Sequence, residues 1–223
     1  MRTTRPDLQA RTGLGIWPTP LQSTDNRAGS YVKREDLCGF AFGGSKVRAL
    51  EALLGEALGR QALHTAPEPG AQAVNAAIAA LAGELGPSAY PIPRAGAAAV
   101  GVADYRATAR ELLDQLPVSR ADVVVALGSG GMCAGLLLGS AEASRSGTDV
   151  RVIGVPVSKT ADQAAGAVRG LLGQVRRQQL SQAEPDAVLA RLRICVRPDP
   201  GRATVLGSSG GLPAYFDAAE RDR

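Results

Sequence analysis

The stretch Ala121-Asp-Val-Val-Val-Ala-Leu127 is a near-continuous apolar run that passes at once into Gly128-Ser-Gly-Gly131 and then into the run Met132–Ala143. A short run of this kind, bounded by a turn, reads as a strand covered on both faces. A second one, Val150-Arg-Val-Ile-Gly-Val155, follows after Gly147. Strand, glycine turn, helix and strand in succession predict a βαβ unit over 121–155 and a parallel pair, because parallel neighbours need a crossover of a dozen or more residues. The expected class is α/β, an open, mostly parallel sheet flanked by helices.

The rest of the chain is read around that unit. Trp17-Pro-Thr-Pro-Leu21 predicts an extended segment, since a residue preceding proline is pushed out of the helical basin. Tyr31-Val-Lys-Arg-Glu35 predicts a short strand, and Ser45 is a fair N-cap for a helix over about 46–60, where Val47, Leu50, Leu53, Leu54 and Ala57 recur at helical spacing. Ala71–Leu85 is an alanine-dominated helix candidate and Ala103–Leu116 another. Ala89-Tyr-Pro-Ile-Pro93 is a strand candidate that its two prolines confine to an edge or an end. Downstream, an Arg-rich amphipathic helix is expected near 160–180, a second near 182–191, a strand around Leu192–Val196, and a glycine-rich turn, Gly207-Ser-Ser-Gly-Gly211, before a short terminal helix.

Composition narrows the function classes. With 223 residues, 45% hydrophobic and 21% charged, the chain can bury a core and is not of the disordered or collagenous type. The formal charge is +4, but the arginines are scattered and aromatics make up 4%, so neither the basic patch nor the stacking platforms of a nucleic-acid binder are present. No apolar run approaches the roughly 20 residues of a membrane span, and Met1-Arg-Thr-Thr-Arg-Pro-Asp7 has no apolar segment behind its basic residues, so a cytoplasmic protein without membrane partners is expected. Cys38, Cys133 and Cys195 are widely spaced and His64 is the single histidine, which points to neither a disulfide framework nor a metal site.

Two places could carry chemistry. Gly128-Ser-Gly-Gly131 sits between a buried strand and a helix start, where free N–H groups and the helix dipole can hold a phosphate or carboxylate, though the same glycines could make a tight βα turn with no ligand. It is neither a G-x-G-x-x-G nor a Walker A sequence. Gly43-Gly-Ser-Lys46 puts a lysine at a helix start, the wrong charge for that position, beside glycines that would let a ligand come close. A solvated surface lysine is the plain alternative.

Taken together, Pro18-Thr-Pro-Leu21, Val32-Lys-Arg-Glu-Asp-Leu37 and Gly43-Gly-Ser-Lys-Val-Arg48 resemble the N-terminal signature of fold-type II pyridoxal-phosphate enzymes, and among these most resemble the D-cysteine desulfhydrase and 1-aminocyclopropane-1-carboxylate deaminase family. The resemblance implies a tryptophan synthase β-like large domain and pyridoxal 5'-phosphate as cofactor. It makes Lys46 the residue that forms the Schiff base, with Ser45 standing where the family usually has Asn. Val125–Gly135 resembles the family's phosphate loop, usually S-G-G-T-H-A-G, which carries over Gly128, Ser129, Gly130 and Gly131 as phosphate ligands. Met132 and Cys133 replace its Thr and His, and a hydroxyl donor goes with them.

Tyr90-Pro-Ile-Pro93 with Gly96 and Gly101 resembles the family's return from small to large domain, and Leu206–Pro213 resembles its I-G-P-G-Y-G-x-P segment, with Gly210 where the tyrosine would be. The family's S-N-H or S-N-Q turn and its distal Y-T-G-K-like segment have no counterpart. The chain therefore reads as a single α/β domain over 1–223, shortened internally and at its C-terminus, with about 61–88 as the remnant of a reduced small domain.

The implied function is a lyase or deaminase acting on a small or β-substituted amino acid, as D-cysteine desulfhydrase does. The alternative is a diverged homologue that has lost this activity and serves a different reaction or a partner. A homo-oligomer, a dimer, is expected, since an apolar face bared by the missing small domain would need covering. Arg34, Glu35 and Asp36 read as a salt-bridged rim rather than a catalytic acid and base. Tyr105 and Tyr215 read as packing residues, and Cys133 is either a reactive thiol at a helix start or a buried one.

Overall fold

The computed structural model describes residues 13–24, 29–40, 43–59, 74–143, 147–194 and 201–207. The predicted βαβ unit is its centre: β3 (Arg120–Leu127), α4 (Gly131–Ala143) and β4 (Asp149–Pro156), with the two strands parallel from Arg120 opposite Asp149 to Leu127 opposite Pro156. Before it come β1 (Leu21–Ser23), β2 (Ser30–Lys33), α1 (Lys46–Gly59), α2 (Val74–Leu85) and α3 (Ala99–Gln115). After it come α5 (Ala161–Arg177), α6 (Pro185–Leu189), β5 (Leu192–Ile194) and β6 (Ala203–Gly207). The sheet order is β1-β2-β6-β3-β4-β5, and every pair is parallel except β1 with β2.

The core lies on one face of this sheet. Ala121, Val123, Val125 and Leu127 of β3, Val150 and Val152 of β4, and Ala203 and Val205 of β6 point into it, against α3, α4, α5 and α6. Helix α4 is buried all round because it crosses α3 at very short range: a Cβ at Gly135 would stand 2.2 Å from Tyr105 Cβ, and one at Gly139 would stand 2.3 Å from Ala109 Cβ. Helix α5 buries Ala164, Val168, Leu171, Leu172 and Val175, the stripe expected of an amphipathic helix. It starts at a capping box in which Gln163 N–H donates to Thr160 Oγ1 at 3.3 Å and Thr160 N–H donates to Gln163 Oε1 at 3.1 Å.

At the amino edge of the sheet, buried Asp122 accepts from Arg151 (2.8 and 2.7 Å) and from Arg202 (2.9 Å), and Arg202 also pairs with Asp149. This ties the start of β6 to β3 and β4.

Three expectations need correction. Ala89–Pro93 forms no strand: Pro91 and Pro93 have no N–H for a ladder, and short 3₁₀ turns at Gly86–Ser88 and Arg94–Gly96 flank it. The first parallel strand ends at Lys33, because Glu35–Leu37 is already a 3₁₀ turn. Strand β6 was not expected at all. The end of the predicted strand beyond Ile194, the turn beyond Gly207, the terminal helix, His64, Cys195 and Tyr215 lie outside the described residues, and of 61–88 only 74–88 is described. No helix among the described residues is long and apolar enough to cross a membrane.

Close packing and open surface make opposite predictions for two helical glycines. Gly135→Ala is expected to destabilise the protein by at least about 1–3 kcal/mol, because α3 must move. Gly166→Ala in α5, where an added Cβ meets nothing within 4 Å, is expected to stabilise by about 0.5–1 kcal/mol. Paired denaturant melts check both, and equal effects would contradict the packing described.

Candidate functional site at the carboxyl edge of the sheet

Parallel strands deliver their carboxyl ends to one edge, and in open α/β sheets that edge holds ligands where the strand order reverses. Here the reversal lies around β6, which returns to sit between β2 and β3. Lys33 at the end of β2 is opposite Gly207 of β6, and Gly207 is opposite Val125 of β3. The segments that leave this edge are the 34–45 turn into α1, the glycine turn into α4, and the 157–160 turn into α5.

The first of these is built by glycine. Gly43 has φ +71 and Gly44 φ +100, both in the region that disfavours side chains, and a Cβ at Gly43 would strike Asp36 O at 2.3 Å. Gly44 N–H donates to Glu35 O at 2.9 Å, closing the turn so that α1 begins at Lys46. Ser45 is buried at 3% exposure, whereas Lys46 is exposed.

The second segment begins at Gly128 and passes Gly130, with φ +95, into Gly131 as the first residue of α4. The N–H groups of a first helical turn have no partner within the helix and point outward. Lys159, which the sequence gave no reason to single out, donates from Nζ to Gly128 O at 2.7 Å and brings a cation beside this turn. Met132 Cε lies 3.0 Å from where a Cβ on Gly207 would be, so this side chain covers the end of β6.

Tyr105 of α3 lies against the second segment. It is 3% exposed. Its ring reaches the start of α4, where Cε2 lies 3.6 Å from a Cβ built on Gly131. Burial, together with the charges of Glu35 and Asp104, pushes its phenol well above the ordinary range, so it stays protonated. The predicted residues thus fall in two groups at one edge, Ser45 and Lys46 on one side and Gly128, Ser129, Gly130 and Gly131 on the other.

Beneath the lysine turn lies a buried ionic network. Arg48, 1% exposed, donates to both oxygens of Glu35 (2.6 and 2.9 Å) and to Glu111 (2.9 Å), while its guanidinium lies 3.8 Å from the Trp17 ring centroid. Thr19 Oγ1 donates to Glu35 at 2.7 Å. Lys33 Nζ donates to Glu111, to Thr19 O and, at 2.8 Å, to Gln115 Oε1. Arg34 instead pairs with Asp36 at 2.7 Å on the half-exposed side. The reading of Arg34, Glu35 and Asp36 as structural holds, with Glu35 facing inward and its two neighbours paired to each other.

Burial lowers the Lys33 amine, although Glu111 and Glu35 oppose the shift. For Glu111 burial acts upward, but hydrogen bonds and charge from Arg48 and Lys33 outweigh it and hold the carboxyl below its usual range. Cys133 is 1% exposed, and burial pushes its thiol up to about 12; the reactive-thiol alternative is therefore overturned, desolvation having overridden the helix terminus. A separate apolar groove lined by Ile78, Leu81, Leu85, Tyr90 and Ile92 adjoins Glu56, to which Tyr90 donates at 2.7 Å. Glu56 is about 15 Å along α1 from Lys46 at 1.5 Å per residue, so this groove is not part of the edge site.

Comparison with known proteins identifies a family and a fold. A family model described as "Pyridoxal-phosphate dependent enzyme" matches residues 56–193, a span that includes the glycine turn and begins after Lys46. A Pyrococcus abyssi protein named "Putative 1-aminocyclopropane-1-carboxylate deaminase" is 32% identical over 228 residues, covering 74% of this chain and 68% of its own. A Pyrococcus horikoshii protein of the same name is 26% identical over 249 residues, covering 85% and 72%. Both alignments run over more positions than this chain contributes, so the relatives carry residues within the aligned stretch that this chain lacks. A solved structure titled as that of an ACC deaminase homologue superposes with a TM-score of 0.69 at 21% identity over 98% of each chain, a likeness of fold.

The network predicts acid sensitivity. A carboxyl held low in the folded state contributes stability above its unfolded value, and that contribution is lost as pH falls through the folded value. The urea midpoint is therefore expected to fall between about pH 6 and about pH 3, and Glu111→Gln is expected to flatten that fall. An unchanged slope in the variant would remove Glu111 as its source.

Proposed function

The chain belongs to the pyridoxal-phosphate dependent enzyme family, and we propose that it is a lyase or deaminase that binds pyridoxal 5'-phosphate at this edge and acts on a small or β-substituted amino acid, as D-cysteine desulfhydrase does. The observation that carries this reading is that two glycine-built turns, the one that starts α1 at Lys46 and the one that starts α4 at Gly131, leave the same carboxyl edge of the sheet.

The residues present fit such a cofactor. The primary amine of Lys46 can hold its carbonyl carbon, and the outward N–H groups of Gly131 and its neighbours can hold a phosphate where the helix dipole favours negative charge. Lys159 adds positive charge beside them. When bound, pyridoxal phosphate supplies an electron sink for bond cleavage at the substrate's Cα or Cβ. The chain's own part is to anchor the phosphate, orient the ring, and carry a proton to or from the substrate's Cα on the amine of Lys46. β-Elimination would release the leaving group, and hydrolysis of the resulting imine by one water would give pyruvate and ammonia.

In the same reading residues 1–223 form one α/β domain in which about 61–88 is what remains of a small domain, supported by the extra residues of the Pyrococcus relatives. Exposed Val155 (43%), Val157 (64%) and Leu206 (48%) support a homodimer, for which sedimentation should give twice the chain mass. The second reading, a diverged homologue put to another reaction or to a partner, is favoured by the exposure of Lys46.

Incubation with pyridoxal phosphate is expected to give the visible band of a lysine-bound cofactor, which Lys46→Ala abolishes, and pyruvate should form from D-cysteine. A band without pyruvate from any β-substituted amino acid favours the second reading. No band in the wild type sinks the first.

A further inference from the structure

Thr19 lies in the segment that leads into β1, is 1% exposed, and spends each of its polar atoms on groups of other elements. Its N–H donates to Glu111 of α3 at 3.0 Å. Its carbonyl accepts from Lys33 at the end of β2 and, at 3.0 Å, from Gln115 of α3. Its hydroxyl donates to Glu35 at 2.7 Å, with Glu111 a longer second acceptor at 3.4 Å, and accepts from Arg48 of α1 at 3.3 Å.

Buried backbone groups must find partners in any fold, so the N–H and carbonyl bonds call for no further reason. The hydroxyl does. A valine would fill the same space, and the segment has backbone anchors that make no use of the hydroxyl: Ile16 N–H donates to Cys38 O at 2.8 Å, and Arg34 N–H to Pro20 O at 2.9 Å. What the hydroxyl adds is a hold on both members of the Arg48–Glu35 pair. That arginine stands two residues beyond Lys46, in the first turn of α1.

We propose that the Thr19 hydroxyl is a positioning group. By keeping Glu35 and Arg48 in one orientation against Glu111, it fixes the first turn of α1 and so the place from which the Lys46 amine meets a ligand. Thr19 touches no reacting atom. The ligand half of this inference rests on the pyridoxal-phosphate reading above.

The test uses the full chain and two variants: Thr19→Val keeps the volume and loses the hydroxyl, whereas Thr19→Ser keeps the hydroxyl and loses the methyl. Without cofactor, amide hydrogen exchange over residues 44–50 is expected to quicken about tenfold or more in Thr19→Val, the factor carried by one hydrogen bond to a charged group. Exchange in β3 and α4 should stay as in the wild type. With pyridoxal phosphate, trapping on Lys46 by borohydride, read by peptide mass, is expected to need about tenfold more cofactor in Thr19→Val. Thr19→Ser is expected to stay near the wild type in both readouts. Should Thr19→Val fail to fold, Thr19→Ala, which leaves room for a water at Glu35, replaces it against Thr19→Ser, with a loss of about threefold expected.

Unchanged exchange in the variant lacking the hydroxyl, exchange quickened equally in β3 and α4, or a Thr19→Ser protein as impaired as that variant would each overturn the proposal. Locally quickened exchange with unchanged trapping would overturn the role toward the ligand. Wild-type protein that traps nothing would overturn the cofactor reading, and exchange would still decide whether the hydroxyl holds the lysine turn.

Discussion

The Arg48–Glu35 ion pair is the interaction on which the arrangement of the site depends. Both side chains are essentially inaccessible to water, and each would be costly to bury alone. Their geometry compensates: two hydrogen bonds between them, a third from Thr19 to Glu35, and Glu111 taking the remaining reach of Arg48. Since Glu35 lies two residues past the end of β2 and Arg48 lies in the first turn of α1, the pair fixes how the chain leaves the sheet and enters the helix that begins with Lys46. Trp17 and Thr19, from the segment before β1, close over the same charges.

A second constraint sets the other half of the site. Gly135 and Gly139 let α4 approach α3 until their backbones nearly touch, and that closeness brings Tyr105 to the start of α4. One helix, α3, thus serves both halves. Glu111 binds the network under Lys46, and Tyr105, two turns earlier on the helix, rests on the glycine turn. An ion pair and a glycine seam, neither of which touches a ligand, decide where the lysine turn and the phosphate-type turn stand.

Much of this was legible in the chain because it is written locally. The run Ala121–Leu127, its glycine turn and the following helix announced themselves by composition, and the stripe from Ala164 to Val175 announced α5 by period. Strand β6 was not legible: Ala203–Gly207 is five residues long, and it is a strand because β2 and β3 flank it, partners that are distant in sequence. Proline explains the lost strand at 89–93, where extended backbone was read correctly and ladder hydrogen bonds were impossible. In Arg34-Glu35-Asp36 the sequence offered three adjacent charges, and only tertiary contact with Arg48 turns the middle one inward. Lys159 was illegible as a site residue for a similar reason, since it reaches the glycine turn only through Gly128 on another element.

The central claim is that Lys46 and the turn at 128–131 are two ends of one ligand site. A crystal structure of the protein grown with pyridoxal phosphate tests it most directly. The account predicts continuous density from Lys46 Nζ to the cofactor, with the phosphate accepting from backbone N–H groups at the start of α4. Density joined to another lysine such as Lys159, or a phosphate held away from that turn, would contradict it.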